Sequence, residues 1–175
     1  MNKPTPKNPA AAASTLIEAI RAIAQANQQL AILAGEQRQA IARMAADRVQ
    51  AVTEQQRQVG RELAQAEEDR RAHAAALAAA LALPKSASIQ DLAKALGRFD
   101  AQLAQDLTNA AKAARTAILA CQGQQRVVHA AANGIVAHID GLARQVMAKL
   151  NSAGIYAATG ALNTAQTTRG VDLVS

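Results

Sequence analysis

Residues 118–146 read ILACQGQQRVVHAAANGIVAHIDGLARQV, and the spacing of their apolar positions decides the fold. Ile118, Cys121, Gln125, Val128, Ala132, Ile135, Ile139, Leu142 and Val146 recur at alternating steps of three and four. Such steps line one stripe of an α-helix, the seam of a coiled coil. Toward the N-terminus the stripe continues through Ala114, Ala110, Leu107 and Leu103 to Asp100, a residue suited to cap a helix. The spacing therefore predicts one long helix over about 100–150.

The first half of the chain carries the same signal. Leu16, Ile20, Ile23, Asn27, Leu30, Ala34, Gln37, Ile41 and Met44 form a stripe. After Ile41 its frame slips and continues as Ala45, Val49, Val52, Gln56, Val59, Leu63, Ala66 and Arg70. A slip of this kind resembles a stutter, so a continuous helix over about 14–83 is expected, with Ser14 or Thr15 as its cap and a kink near Gly35. Pro84 ends it. Ser88 with Asp91 three residues on starts a short helix, 88–97, which Gly97 closes. The prolines at 4, 6 and 9 mark residues 1–13 as a disordered leader. Residues 151–175, rich in Gly and Thr, are expected as a flexible C-terminal tail.

Composition agrees. Alanine and glutamine dominate, and Phe99 and Tyr156 are the only aromatics. A core without aromatics must come from Ala, Leu, Ile and Val, which suits close-packed helices. The expected fold is all-α, a long antiparallel helical hairpin or coiled-coil bundle with a short middle helix, with residues 14–150 as its single helical domain. Its buried apolar payload is modest, so a bound partner adds stability by mass action.

Functional classes are narrowed by what the residues can do. The net charge is +6, but residues 14–83 balance and the excess lies mainly over 84–150 as singly scattered Lys and Arg. That pattern, without aromatics to stack bases, argues against nucleic acid. One cysteine, Cys121, allows no internal disulfide and reads as a buried thiol. His129 and His138 are nine apart, unlike the i, i+4 spacing of helical zinc motifs. Glu67-Glu68-Asp69 is followed by Arg70-Arg71, a self-compensating solvated face. No catalytic residue, cofactor site or metal site is expected, and the chain reads as a non-enzymatic binding protein. No apolar run is long enough to span a bilayer, and the start has no signal segment, so a cytoplasmic protein without stable membrane insertion is expected. Tyr156, flanked as GIYAATG over 154–160, fits either an interface anchor or a cover over the end of the bundle.

The layout resembles the FlgN family of flagellar export chaperones. The resemblance rests on the order of features over residues 14–160. A charge-punctuated first helix carries Glu36-Gln37-Arg38-Gln39-Ala40-Ile41 and Arg70-Arg71. The amphipathic segment Ser88-Ile89-Gln90-Asp91-Leu92-Ala93 comes next, then Ala132-Asn133-Gly134-Ile135 in the last long helix, and finally Tyr156 with Gly160. Against the family this chain is richer in Ala, basic and longer at its C-terminus. The resemblance implies a chaperone that holds hook–filament junction (hook-associated) proteins by their C-terminal helical segments, prevents premature assembly and delivers them to the type III export gate. Val128, Ile135, Ile139, Leu142 and Val146 are then the export-substrate surface, in a helix-in-groove mode. Tyr156 and Gly160 would meet the export gate, and a monomer or weak homodimer is the expected state. Two other readings share the composition: a structural coiled coil that self-associates into a stable oligomer, and a phasin-like binder of granule surfaces.

Overall fold

The computed structural model describes residues 8–152, which form four helices: α1 (Pro9–Ala42), α2 (Ala46–Ala80), α3 (Ile89–Leu96) and α4 (Ala101–Ser152). No strand occurs among the described residues. Compact packing divides the chain at His129, so the part up to His129 and the part from Ala130 are described separately.

The expected helix over 14–83 is two helices. They fold into a hairpin at Arg43-Met44-Ala45, and α1 stays helical through Gly35 to Ala42. At the turn the Ala45 N–H donates to the Ala40 carbonyl (2.9 Å) and the Met44 N–H to that of Ile41 (3.0 Å). This pair of bonds is the Schellman ending of a helix, whose next residue adopts a left-handed conformation. Glycine usually fills that place; here Met44 does, at φ 53°. The same device ends α2: Leu83 donates to Ala78 (2.8 Å), Ala82 to Ala79 (3.3 Å), and Ala82 sits at φ 55°. What reads in the sequence as a stutter after Ile41 is therefore a reversal of direction.

The start of α1 also differs from expectation. Residues 9–13, assigned to a leader, are helical. Pro9 occupies the first turn, where its missing N–H costs nothing, and the Asn8 side chain accepts from the Ala10 N–H at 3.0 Å. Ser14 and Thr15, expected as caps, bond back to carbonyls of the preceding turn instead. Residues 1–7 lie outside the described residues.

Stripe positions Ile23, Asn27 and Ala34 of α1 and Val52, Val59 and Ala66 of α2 are buried, whereas Met44, also on the predicted stripe, is 78% exposed. Ala26 and Leu33 of α1 cluster with Val52 and Val59 of α2, with Leu30 and Leu63 at the margin. Polar groups set the register: Gln37 donates to Thr53 (3.3 Å) and accepts from Gln56 (3.1 Å), and Arg48 pairs with Glu36 at 2.7 Å. Only three residues, Arg43–Ala45, join α1 to α2, and residues on either side of that turn pair with each other, so the two helices run antiparallel. Asn27, buried in α1, satisfies its amide on the Ile23 carbonyl (2.9 Å).

The larger core joins all four helices. Leu16, Ile17 and Ile20 of α1 meet Leu77 of α2, Leu92 and Leu96 of α3, and Leu107 of α4, with Ala13, Ala24, Ala78, Ala110, Ala114 and Ala117 between them. Large and small side chains alternate, which lets helices without aromatics pack closely. The short helix α3 starts as read: Ser88 Oγ accepts from the Asp91 N–H (3.1 Å), and Asp91 accepts from the Ser88 N–H (3.1 Å) and hydroxyl (2.7 Å). These bonds, the hydroxyl first, hold the Asp91 carboxyl below its usual range. Asp100 caps α4 by accepting from the Leu103 N–H at 3.0 Å.

Candidate partner-binding surface

The stripe of α4 changes environment along its length while keeping its helical phase. Leu107, Ala110, Ala114, Cys121 and Val128 are buried. Ile135 is half-buried, and beyond it Ile139 (57% exposed), Leu142 (48%) and Val146 (56%) face solvent. At 3.6 residues per turn, Ile135, Ile139, Leu142, Val146 and Leu150 share one side of the helix. Val136 and Met147, both exposed, widen that side along one flank. Arg144 falls on the opposite side, and Asp140 lies next to Met147 at the margin of the widened face.

Five of the ten large hydrophobics that the described residues expose lie within 136–147. Scattered apolar residues on a surface need no explanation, whereas a contiguous face marks an interaction site. An elongated amphipathic face can take up another helix along its apolar side, and it offers no enclosed site in which to shift a pKa.

The predicted site residues separate accordingly. Ile139, Leu142 and Val146 are brought together on the exposed face, with Ile135 at its edge. Val128 is not part of it: at 8% exposure it belongs to the packed part of the chain, about two turns before Ile135. Tyr156 and Gly160 lie outside the described residues. Val136 and Met147 escaped the sequence reading because a strict seam of threes and fours excludes residues off its centre line. A wider helical face, as globular helices use, would have included both.

Elsewhere the side chains are arranged for solvation or packing. Arg70 pairs with Glu67 at 3.0 Å and Gln65 donates to Asp69 at 3.0 Å, as the self-compensating face predicts. His129 and His138 are exposed and, nine residues apart, project from opposite sides of α4. Burial alone pushes the Cys121 thiol up from its usual range. Among the described residues no three His, Cys, Asp or Glu side chains gather where they could hold a metal ion, and no helix is long and apolar enough to cross a membrane.

Residues 12–164 match the model of the protein family described as FlgN protein. No curated protein and no solved structure matches the chain.

Proposed function

Because this chain belongs to the FlgN family of flagellar export chaperones, we propose that the exposed face of α4 is where it holds its export substrate. Members of the family bind flagellar hook-associated proteins and act as chaperones, not enzymes. The observation that carries the proposal is a stripe whose positions Leu107, Ala110, Ala114, Cys121 and Val128 are buried, with Gln125 among them exposed, and whose positions Ile139, Leu142 and Val146, in the same phase, are exposed. A helix buries its apolar side because that side costs free energy in water, about 25 cal/mol for each Å². The exposed side is therefore the one stretch of α4 that gains most from a partner.

The occupant is the C-terminal helical segment of a hook–filament junction protein. Such a segment is itself amphipathic and would otherwise join other subunits. Laid along Ile135, Ile139, Leu142 and Val146, it completes the seam and is withheld from assembly. The chaperone acts in the cytoplasm and passes the subunit to the flagellar export gate. Tyr156 and Gly160 form the gate contact in this reading: a lone aromatic supplies anchoring area for a weak, releasable contact.

Co-purification of the full chain with junction proteins of its host, beside a Tyr156→Ala variant, tests both halves. The expected result is a one-to-one complex with both forms and loss of gate binding in the variant alone. A chain that ignores these subunits and forms a stable homo-oligomer through the same face would instead be a structural coiled coil.

A further inference from the structure

The sulfur atoms of this chain are sorted by exposure. Its three methionines are Met1, Met44 and Met147, and neither of the two among the described residues enters a core. Met44 is 78% exposed at the turn between α1 and α2, and Met147 is 59% exposed on α4. Cys121, the one thiol, is the reverse: it is buried, and burial pushes its thiol up from the usual range. A thiol reacts with oxidants as its thiolate, so a buried, protonated one is inert. A thioether needs no deprotonation, only access. A small oxidant in solution therefore reaches the two methionines and spares the cysteine.

The two methionines differ in what adjoins them. Met44 stands alone in its left-handed turn position. Met147 follows Ala143 by four residues and precedes Leu150 by three, the spacings at which side chains of a helix are neighbours. Exposed Val136 continues the same strip about two turns earlier. This strip is the flank of the exposed apolar face, and its side chains carry no hydrogen-bonding group.

We infer that Met147 is a site of reversible oxidation by hydrogen peroxide, and that its sulfoxide loosens the chain's hold on an export substrate. The inference rests on the reading of this face as the export-substrate surface. In the reaction the Met147 sulfur attacks one peroxide oxygen, an S–O bond forms as the O–O bond breaks, and the departing hydroxide takes the remaining proton and leaves as water. The sulfur gives up the two electrons that reduce the peroxide. The product is a polar sulfoxide that sulfoxide reductases return to methionine. When a partner covers the strip, that new oxygen loses water and finds no donor in Val136, Ala143 or Leu150, which disfavours the complex. The fold is spared, because the cores contain no methionine. A partner lying on the strip shields the sulfur in turn.

The test treats the full chain with hydrogen peroxide, locates the added oxygens by peptide mass spectrometry, and measures affinity for the C-terminal segment of a hook-associated protein before and after. Met44 and Met147 should each gain one oxygen and Cys121 none, with helicity by circular dichroism unchanged. The affinity should fall about tenfold and return on treatment with methionine sulfoxide reductases. Met44→Leu should lose affinity on oxidation as the natural chain does. Met147→Leu, whatever its starting affinity, should lose none. With the segment bound before peroxide is added, Met147 should oxidise more slowly and Met44 at an unchanged rate. The inference is overturned by oxidation at Met147 that leaves affinity unchanged, by a loss that persists in Met147→Leu, by unfolding on oxidation, or by equal oxidation of Met147 in the free and bound chain. Failure of the untreated chain to bind the segment overturns the reading of the face itself, and the inference with it.

Discussion

Replacing Ile139, Leu142 and Val146 together by alanine should weaken substrate binding while leaving the free chain nearly as stable as before. These side chains are 57%, 48% and 56% exposed, so about half of each is left for a partner to cover. Full burial of such a side chain is worth ~1.5–3 kcal/mol, half of it ~1 kcal/mol, and the three together ~3 kcal/mol. That corresponds to a Kd about 100-fold weaker. In the free chain the same substitutions remove little packing, and alanine is the better helix former. The expected change in stability is within ~0.5 kcal/mol for each. Isothermal titration with the C-terminal segment of a hook-associated protein gives the first quantity and urea unfolding the second. Unchanged affinity would refute the assignment of this face. A loss of several kcal/mol of stability would show that these residues are core after all.

The packed part of the chain should respond in the opposite way. Leu92→Ala empties a fully buried site where α3 meets the other helices, and should cost ~2–5 kcal/mol in chemical denaturation. Met44→Gly should stabilise the hairpin by ~0.5–1 kcal/mol, since the left-handed conformation costs a side-chain-bearing residue ~1–2 kcal/mol and the larger chain entropy that glycine loses on folding offsets part of that gain; a lower thermal midpoint would contradict this. Because the folded pKa of Asp91 is depressed, its contribution is present above the ordinary carboxylate range and is lost as pH falls through the folded value. Asp91→Asn should therefore flatten that portion of the stability–pH curve, and a variant that keeps the same acid limb would show that the capping box contributes no linkage.

Much of this arrangement was legible because the seam is long and regular. The stripe positions Val52, Val59 and Ala66 are buried as their spacing demands, and Ser88, Asp91 and Asp100 cap the helices that their positions suggest. The hairpin turn was not legible for a definite reason. Helix reversals are normally announced by glycine or proline, and Arg43-Met44-Ala45 contains neither. Only the slip of the stripe after Ile41 marked it, and a slip has two explanations. Pro9 misled in the other direction, since a proline forbidden inside a helix is welcome in its first turn. At the candidate site, periodicity identified the face of α4 but could not say where along it burial stops. Val128 and Val146 are equivalent in the pattern, and only packing distinguishes them.

The most direct test is hydrogen–deuterium exchange of the full chain with and without a purified hook-associated protein. The account predicts added protection concentrated over about 132–150 in α4, with the hairpin of α1 and α2 unchanged. Protection that falls instead on the α1–α2 hairpin, leaving 135–147 exchanging as in the free chain, would contradict it.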